Sequence, residues 1–407
     1  MTNGGWNSRE LVPLVLGASL LLEVLLFIKY VLPHEGQFFF THDPIGADFV
    51  VFWSAAILTA TDRLPEIFDY IKFHEAQTAF LGHEYQLRIW SYPPHFLFYL
   101  IPLAWLAYLP AYVVWNVVTF TMFALTMIVS QSRNVLVLAL ALAPATFINI
   151  LCGQNGFLSG ALFVGGMFLR QSHPASSGIL FGLLSYKPHL GILIPVVLIA
   201  ERNWKTLLST MITLTALVLC SLLIHGSESW MLYSIETIRN TTIVLEKVSG
   251  FLTYMMPTVF MSGRIYGLEE STNYLLQIIV MLIVIVATYW AIRRTTDMKI
   301  RTALACVGVF LVSPYALSYD MTIISVAIVM LVEIGQKRGF LWGERIVLAM
   351  VWFLPISVIW LNASGVPIAP IILGLLFLLL MVRASRASEE LEHVVISRSQ
   401  ETVFIKS

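Results

Sequence analysis

The chain has 407 residues, of which 58% are hydrophobic and only 12% are charged, and its mean hydropathy is +0.82. An apolar fraction of this size cannot be buried in a water-soluble domain, which indicates a polytopic membrane protein. The net charge is zero, so bulk electrostatics favour neither nucleic acid nor an acidic partner. The three cysteines lie in apolar segments without metal-ligand spacing, which argues against a disulfide framework or a zinc site.

Hydropathy predicts an all-α bundle of about twelve membrane spans, because a crossing helix needs about 20 apolar residues. Clear spans are predicted at 11–32, 110–129, 134–151, 204–224, 274–292, 318–335, 345–361 and 366–383. Four shorter apolar runs complete the twelve, at 156–169, 177–186, 188–200 and 300–315. The segment 92–108 enters through a double proline and contains Pro102, so we predict an interfacial or re-entrant piece there.

Basic residues occupy every second connection between the spans, and this pattern predicts the orientation of the chain. We call these connecting segments joints. These joints contain Arg133, Arg170, Arg202 with Lys205, Arg293 to Arg301, Lys337 with Arg338 and Arg345, and Arg383 with Arg386. The positive-inside rule places them in the cytoplasm, together with both termini. The joints between them face outwards, and they contain a different set of polar residues. We therefore predict a multi-pass protein of the inner or plasma membrane with its chemistry on the outer, periplasmic side.

Residues 1–385 are predicted to form a single integral membrane domain. Two longer segments map to the outside, 33–91 and 225–273, and the first of them has the spacing of interfacial helices. The charged, Ser-rich segment 386–407 is predicted to be a disordered cytoplasmic tail. The sequence contains no internal repeat and no soluble catalytic domain, so any chemistry must be built at the membrane surface.

Asp48 is the candidate for acid–base chemistry. It follows the first span and precedes an apolar stretch, where a carboxylate in a water-poor cleft could deprotonate a hydroxyl. The alternative is a helix N-cap, since an aspartate before an apolar run is a common start signal. Asp43 and Asp69 are nearby carboxylates in the same segment.

Two outer joints are candidates for binding an anion or a sugar. Lys187, with His189 beside it, would stabilise an anion such as phosphate in a partly dry cavity; the alternative is snorkelling to the outer interface. Gln154 and Asn155 stand between glycines at a helix start and offer amide donors together with a helix N-terminus. The alternative for that joint is an ordinary turn.

Three further polar residues fall on the predicted outer side. His95 follows the double proline, where a hydrogen-bonded interfacial side chain is the alternative to a ligand. Tyr319 and Asp320 begin a span after Pro314, where an aspartate commonly caps a helix. We predict that all three contact substrate, with interfacial packing and capping as the alternatives.

The order of these pieces resembles that of glycosyltransferase family 87, whose members are polytopic enzymes of the GT-C fold. The resemblance extends over about residues 10–385. The matching pieces are Gly46 to Trp53 with Asp48, Tyr92-Pro93-Pro94 followed by Pro102, Gly153-Gln154-Asn155, Lys187-Pro188, and Ser313-Pro314 before Tyr319-Asp320. The chain departs from the family pattern at Phe68-Asp69, where relatives often have Tyr-Asp after a glycine.

The resemblance implies a GT-C fold, a polyprenyl-phosphate sugar as donor, with mannose favoured, and a glycolipid or glycan as acceptor. In that fold an acidic residue of the first outer loop is the catalytic base, a role that would fall on Asp48, and the anomeric carbon would be inverted. Lys187, assisted by His189, would bind the donor phosphate. The remaining candidates would contact substrate: Gln154, Asn155, His95, Tyr319, Asp320 and Asp69. No metal or other cofactor is expected, since the protein itself supplies the cations.

Two readings from other functional classes remain open. A secondary transporter or lipid flippase would also have about twelve spans, but it predicts inverted repeats and carboxylates near the midplane. A non-catalytic subunit for envelope assembly predicts that Asp48 and Lys187 are dispensable. The crowding of polar residues on one side favours the transferase over both.

Overall fold

The computed structural model describes residues 8–30, 33–35, 38–39, 43–129 and 134–404, and it describes side chains within 11–29, 43–128 and 138–386. In the first half of the chain the helices are α1 Ser8–Tyr30, α2 Phe49–Ala60, α3 Tyr70–Leu81, α4 Leu97–Leu100, α5 Tyr108–Val129, α6 Asn134–Ala141, α7 Pro144–Cys152, α8 Gly156–Leu169, α9 Pro174–Leu183 and α10 Leu193–Ala200. Two short antiparallel strands, β1 Pro33–Glu35 and β2 Phe38–Phe39, form a hairpin after α1.

The second half of the chain is helical as well. Its helices are α11 Trp204–Leu232, α12 Ile238–Glu246, α13 Phe251–Tyr254, α14 Val259–Ile265, α15 Glu270–Arg294, α16 Met298–Val312, α17 Thr322–Arg338, α18 Glu344–Ala363 and α19 Ala369–Phe404. Six 3₁₀ turns and one π turn connect or extend helices along the chain. The π turn is Tyr233–Thr237, and the 3₁₀ turns are Leu64–Phe68, Pro94–Phe96, Ile101–Trp105, Leu184–Tyr186, Pro188–Gly191 and Ser318–Met321.

Within the described residues, seven helices are long and apolar enough to cross a membrane. They are Leu11–Lys29, Tyr108–Ile128, Trp204–Glu246, Glu270–Arg294, Ser318–Arg338, Glu344–Ala363 and Ala369–Arg386. The prediction of an all-α polytopic membrane protein is therefore confirmed. The shorter apolar helices include Pro94–Trp105, Gly156–Leu169 and Pro188–Ala200; the total of twelve spans, the re-entrant course of 92–108 and the GT-C architecture stay predictions.

Three segments differ from what hydropathy predicts. The predicted span 134–151 consists of two helices, because Ala143 precedes Pro144 and adopts an extended conformation (φ −77°, ψ 135°), as residues before proline do. The predicted outer loop 225–273 begins as a continuation of α11 beyond a kink at Gly226. Residues 386–404, predicted to be disordered, have helical backbone, and their mobility stays a prediction.

The centre of the bundle is formed by α8, α16 and α17, whose side chains are almost all buried. In contrast, α1 and α11 bury only 6% of their most apolar stretch inside the protein. Each central helix has its charged residues at one end. Arg170 directly follows α8, Arg301 lies in the first turn of α16, and Glu333 lies near the C-terminal end of α17. This arrangement defines two ends of the bundle.

One end of the bundle is held together by ion pairs between the predicted cytoplasmic joints. Arg170 lies fully buried with its guanidinium 2.8 Å from Glu201, and Arg301 reaches the same carboxylate at 3.0 Å. Lys299 pairs with Glu333 at 2.6 Å on the neighbouring helices. Arg133 lies outside the described residues. We call this the basic end; the opposite ends of the same helices carry the candidate site.

Candidate functional site

Asp48 lies at the start of α2, but its side chain does not cap that helix. No side-chain hydrogen bond is made to the first turn of α2, which argues against the N-cap alternative. The backbone bends sharply just before it, with positive φ at Gly46 (82°) and Ala47 (40°). The N–H of Asp48 donates to the carbonyl of Cys152 at 3.0 Å. The aspartate is thus fixed against the end of α7.

The Gly153–Gly156 joint is a turn of close backbone contacts, which explains its two glycines. At Gly153 (φ 59°) a Cβ atom would stand 2.5 Å from the carbonyl oxygen of Gly46. At Gly156 a Cβ atom would overlap the backbone carbonyl of Tyr319 and the side chain of Asn149. Only glycine allows both approaches. The turn therefore brings the Asp48 segment and the Ser318–Met321 turn before α17 together around Gln154 and Asn155.

The carboxylate of Asp48 is held from two sides. One oxygen accepts a hydrogen bond from Arg88 Nη1 at 2.5 Å, and the other accepts one from Gln154 Nε2 at 3.0 Å. Arg88 also donates through Nη2 to Asp43 at 2.8 Å. Burial lowers the pKa of Arg88, but Asp48 and Asp43 outweigh burial and raise that pKa above its ordinary value. Arg88 therefore stays charged, and two of the four lone pairs on Asp48 remain available.

Gln154 is itself oriented by its neighbours. Its amide oxygen accepts a hydrogen bond from Tyr92 Oη at 3.2 Å, while its amide nitrogen donates to Asp48. Asn155 is fully buried, and its amide lies within reach of the Tyr92 hydroxyl but makes no hydrogen bond of ordinary geometry. A buried amide without partners is costly in the absence of a ligand. Asn155 therefore has hydrogen-bonding capacity that its buried position leaves unused, whereas Gln154 contacts Asp48.

Lys187 and Asp320 form a buried ion pair on the far side of the same turn. Lys187 Nζ lies 2.5 Å from Asp320 Oδ1, and the two side chains are 4% and 1% exposed. The ammonium also lies 5.1 Å from the ring centroid of Tyr319. The sequence alternative that Lys187 snorkels to the interface is therefore wrong, because its charge is compensated inside the protein. Two of its three ammonium protons remain for another acceptor.

Tyrosines lie near both charged groups. Asp48 and Asp320 both lie within electrostatic range of Tyr92, Tyr315 and Tyr319. His189 contacts Tyr315 edge to face with 5.8 Å between ring centroids, and its Nε2 atom is buried without a hydrogen-bond partner. The structure thus gathers Asp48, Gln154, Asn155, Lys187, His189, Tyr319 and Asp320 into one site at the end of the bundle opposite the basic end.

Two of the predicted site residues have other surroundings. Asp69 caps α3 by accepting hydrogen bonds from the N–H groups of Ile71 (3.1 Å) and Lys72 (3.2 Å). His95 bonds through Nε2 to Ser185 Oγ at 3.1 Å and stacks on Trp230. The described contacts of these two side chains do not include Asp48 or the Lys187 pair, so their role in binding substrate stays a prediction.

Arg88 is the site residue that the sequence analysis missed. It stands in the first outer segment, 40 positions from its partner Asp48, and no local spacing links the two. A signal was nevertheless present, because the positive-inside rule disfavours arginine in an outer segment. Within the described part of the chain, no group of three or more His, Cys, Asp or Glu side chains could hold a metal ion.

Comparison with known protein families decides the class. The model of glycosyltransferase family 87 matches residues 90–314, which is more than half of the chain. The chain belongs to glycosyltransferase family 87. No curated protein and no solved structure gives a significant match. The matched range of this glycosyltransferase contains Gln154, Asn155 and Lys187, whereas Asp48 and Asp320 lie outside it. The protein is a multi-pass membrane glycosyltransferase, which acts on a sugar donor and an acceptor at the membrane.

Proposed function

We propose that this glycosyltransferase moves a hexosyl residue, mannose by family resemblance, from a polyprenyl-phosphate sugar to an acceptor hydroxyl of a glycolipid or glycan. The anomeric carbon is inverted in a single displacement, and Asp48 is the base. The observation that carries the proposal is the site itself, where a carboxylate with free lone pairs and a lysine with free protons face the same group of tyrosines.

The orientation proposed for the enzyme follows from the two ends of the bundle. The end rich in arginine and lysine belongs in the cytoplasm by the positive-inside rule, which places Asp48 and Lys187 on the periplasmic side of the inner membrane. The GT-C fold with about twelve spans and two cytoplasmic termini is compatible with this placement. The shorter central helices would then act as spans packed within the bundle.

The lengths of the central helices support a recessed site that a lipid-linked donor can reach. The helix α8 has 14 residues and α16 has 15, which correspond to about 21 and 22 Å at 1.5 Å per residue. The hydrocarbon layer is about 30 Å thick. If the basic end lies at the inner surface, the site lies several ångströms below the outer surface. A prenyl chain in the bilayer can present its phosphate at that depth.

In the proposed reaction the acceptor oxygen attacks the anomeric carbon while the bond from that carbon to the phosphate oxygen breaks. Asp48 takes the acceptor proton as the new bond forms. Arg88 and Gln154 each hold one carboxylate oxygen of Asp48, which fixes the direction of the remaining lone pairs. The aspartate ends the reaction protonated and returns its proton to water.

The leaving polyprenyl phosphate gains one negative charge as the sugar departs. Lys187 is placed to stabilise that charge with the protons it does not give to Asp320. His189 and Asn155 each have a buried polar atom that makes no hydrogen bond of ordinary geometry, and they would bind phosphate or sugar hydroxyls. The pair with Asp320 keeps the ammonium in place when no donor is bound.

The experiment that tests this function uses the purified chain in liposomes with a set of radiolabelled polyprenyl-phosphate sugars and a membrane glycolipid extract. We expect transfer from at least one of these donors, most readily from the mannose donor, and a product whose anomeric configuration by NMR is opposite to that of the donor. Retention of configuration would contradict the mechanism. Failure of every polyprenyl-phosphate sugar, with transfer from a nucleotide sugar instead, would contradict the donor class.

A further inference from the structure

The helix that begins at Trp204 bends at Gly226 and continues to Glu246. At Gly226 the backbone leaves the helical region, with φ 76° and ψ 164°. Beyond it, α11 continues to Leu232, and the π turn and α12 extend the helix. We call residues 227–246 the arm. Its amino acids were expected to be a polar loop, and their helical conformation requires a reason.

One face of the arm packs firmly on the protein. Trp230 donates from Nε1 to Ser221 Oγ at 3.0 Å, across the kink, and Ser229 Oγ donates to the carbonyl of Gly226 at 2.8 Å. The Trp230 ring also stacks on His95, with 5.9 Å between centroids. Further along the arm, Thr237 is 6% exposed. These contacts fix the angle of the bend and determine which face of the arm points away from the protein.

The outward face of the arm carries an apolar stripe. Met231, Ile235 and Ile238 are 55%, 53% and 62% exposed, and their spacing of four and three residues places them on one side of a helix. The exposed charged residues Glu228 and Arg239 stand beside these apolar side chains. Large apolar side chains exposed next to charged ones are typical of helices lying in a membrane interface.

The position of the kink matches the surface of a membrane. Trp204–His225 has 22 residues, which at 1.5 Å per residue is about 33 Å. The hydrocarbon layer is about 30 Å thick, so a helix that enters it at Trp204 leaves it near Gly226. Leu223 and Ile224, just before the kink, are 85% and 66% exposed. The exposed apolar surface of the spanning part therefore extends to the kink at which the arm begins.

We propose that the arm lies on the membrane at the site end of the bundle, with Met231, Ile235 and Ile238 inserted among the lipids of that leaflet. The partner is a phospholipid surface. The inner face of the arm, through Trp230 and His95, would then hold the 94–105 segment at a fixed depth beside the membrane. This inference concerns the placement of the chain and does not depend on the sugar donor or on the reaction.

The proposal is tested by fluorescence quenching of the full chain in phosphatidylcholine liposomes. Bimane is attached to Ile235→Cys or Ile238→Cys in a Cys220→Ala background, in which the two remaining cysteines are buried. The matched control is Lys247→Cys, an exposed position that directly follows the arm. Lipids with a nitroxide near the headgroup report membrane contact, and iodide reports contact with water.

We expect the nitroxide lipids to quench positions 235 and 238 at least about twofold more than position 247, because an interfacial helix buries its apolar face about 5–10 Å deep. Iodide should show the opposite order. Equal iodide quenching at 235 and 247 would overturn the proposal, since the stripe would then face water. Protection of 235 and 238 from both quenchers would overturn it too, because a second copy of the chain would then cover the stripe. Only labelled variants that elute as the unlabelled protein in size-exclusion chromatography are compared.

Discussion

Variants of the buried pair Lys187 and Asp320 distinguish the effect of the pair on stability from its effect on catalysis. Both side chains are almost inaccessible, at 4% and 1% exposure, so removing one partner leaves an uncompensated charge in the protein. Such changes cost about 3–5 kcal/mol, whereas replacing both partners by neutral groups is often neutral or stabilising. We therefore expect Lys187→Met and Asp320→Asn each to lower stability by about 3–5 kcal/mol, and the double variant to recover most of the loss.

Activity should not follow stability in this set of variants. The double variant has no ammonium to stabilise the leaving phosphate, so its rate of transfer should stay about 10²–10³-fold below that of the native chain, the usual cost of one missing group of this kind. Stability is measured by thermal denaturation in detergent and transfer by product formation in liposomes. A double variant with native activity would refute the role of Lys187. Single variants with native stability would refute the burial of the pair.

Three further predictions concern the turn and the first outer segment. Gly156→Ala should destabilise the protein by about 1–3 kcal/mol in thermal denaturation, because its Cβ would overlap a backbone carbonyl. The control Gly374→Ala has open space within a helix and should not destabilise the protein, because alanine favours a helix by about 1 kcal/mol over glycine; equal losses would contradict the close packing. Gln154→Leu should lower kcat about tenfold or more with little change in the acceptor KM, because Asp48 loses a positioning hydrogen bond; a change in KM alone would indicate direct binding instead. Asp69→Ala should lower stability by about 1 kcal/mol through the lost cap and leave the acceptor KM unchanged if capping is its whole role.

Membrane spans were predictable from sequence because their signal is local. Seven of the eight clear spans correspond to long apolar helices. The eighth, 134–151, is two helices, since an apolar run does not reveal that the residue before Pro144 leaves the helical region. The helix beyond Gly226 was missed for a related reason. Its polar and apolar residues average to a loop-like hydropathy, and only their separation onto two faces indicates a helix.

The sequence singled out individual polar residues, but it did not predict which of them contact one another. The sequence singled out both Lys187 and Asp320, which are 133 positions apart, yet it offered no reason to pair them. The anion beside Lys187 in the structure is the carboxylate of Asp320, and binding of the donor phosphate by Lys187 stays a prediction. Gln154 was predicted to donate to a substrate, whereas its amide donates to Asp48. Packing of distant segments through the Gly153–Gly156 turn determines these pairings, and no local pattern contains that information.

The central claim is that Asp48 deprotonates the acceptor, and one comparison of variants tests it most directly. Transfer from the polyprenyl-phosphate donor is measured in liposomes for Asp48→Asn and for Glu66→Gln, a carboxylate of the same segment whose exposed ion pair with Arg63 contributes little to stability. We expect transfer to be lost in the first variant and native in the second, with both proteins folded. Native transfer by Asp48→Asn would contradict the claim, and the base would then have to be sought elsewhere in the site.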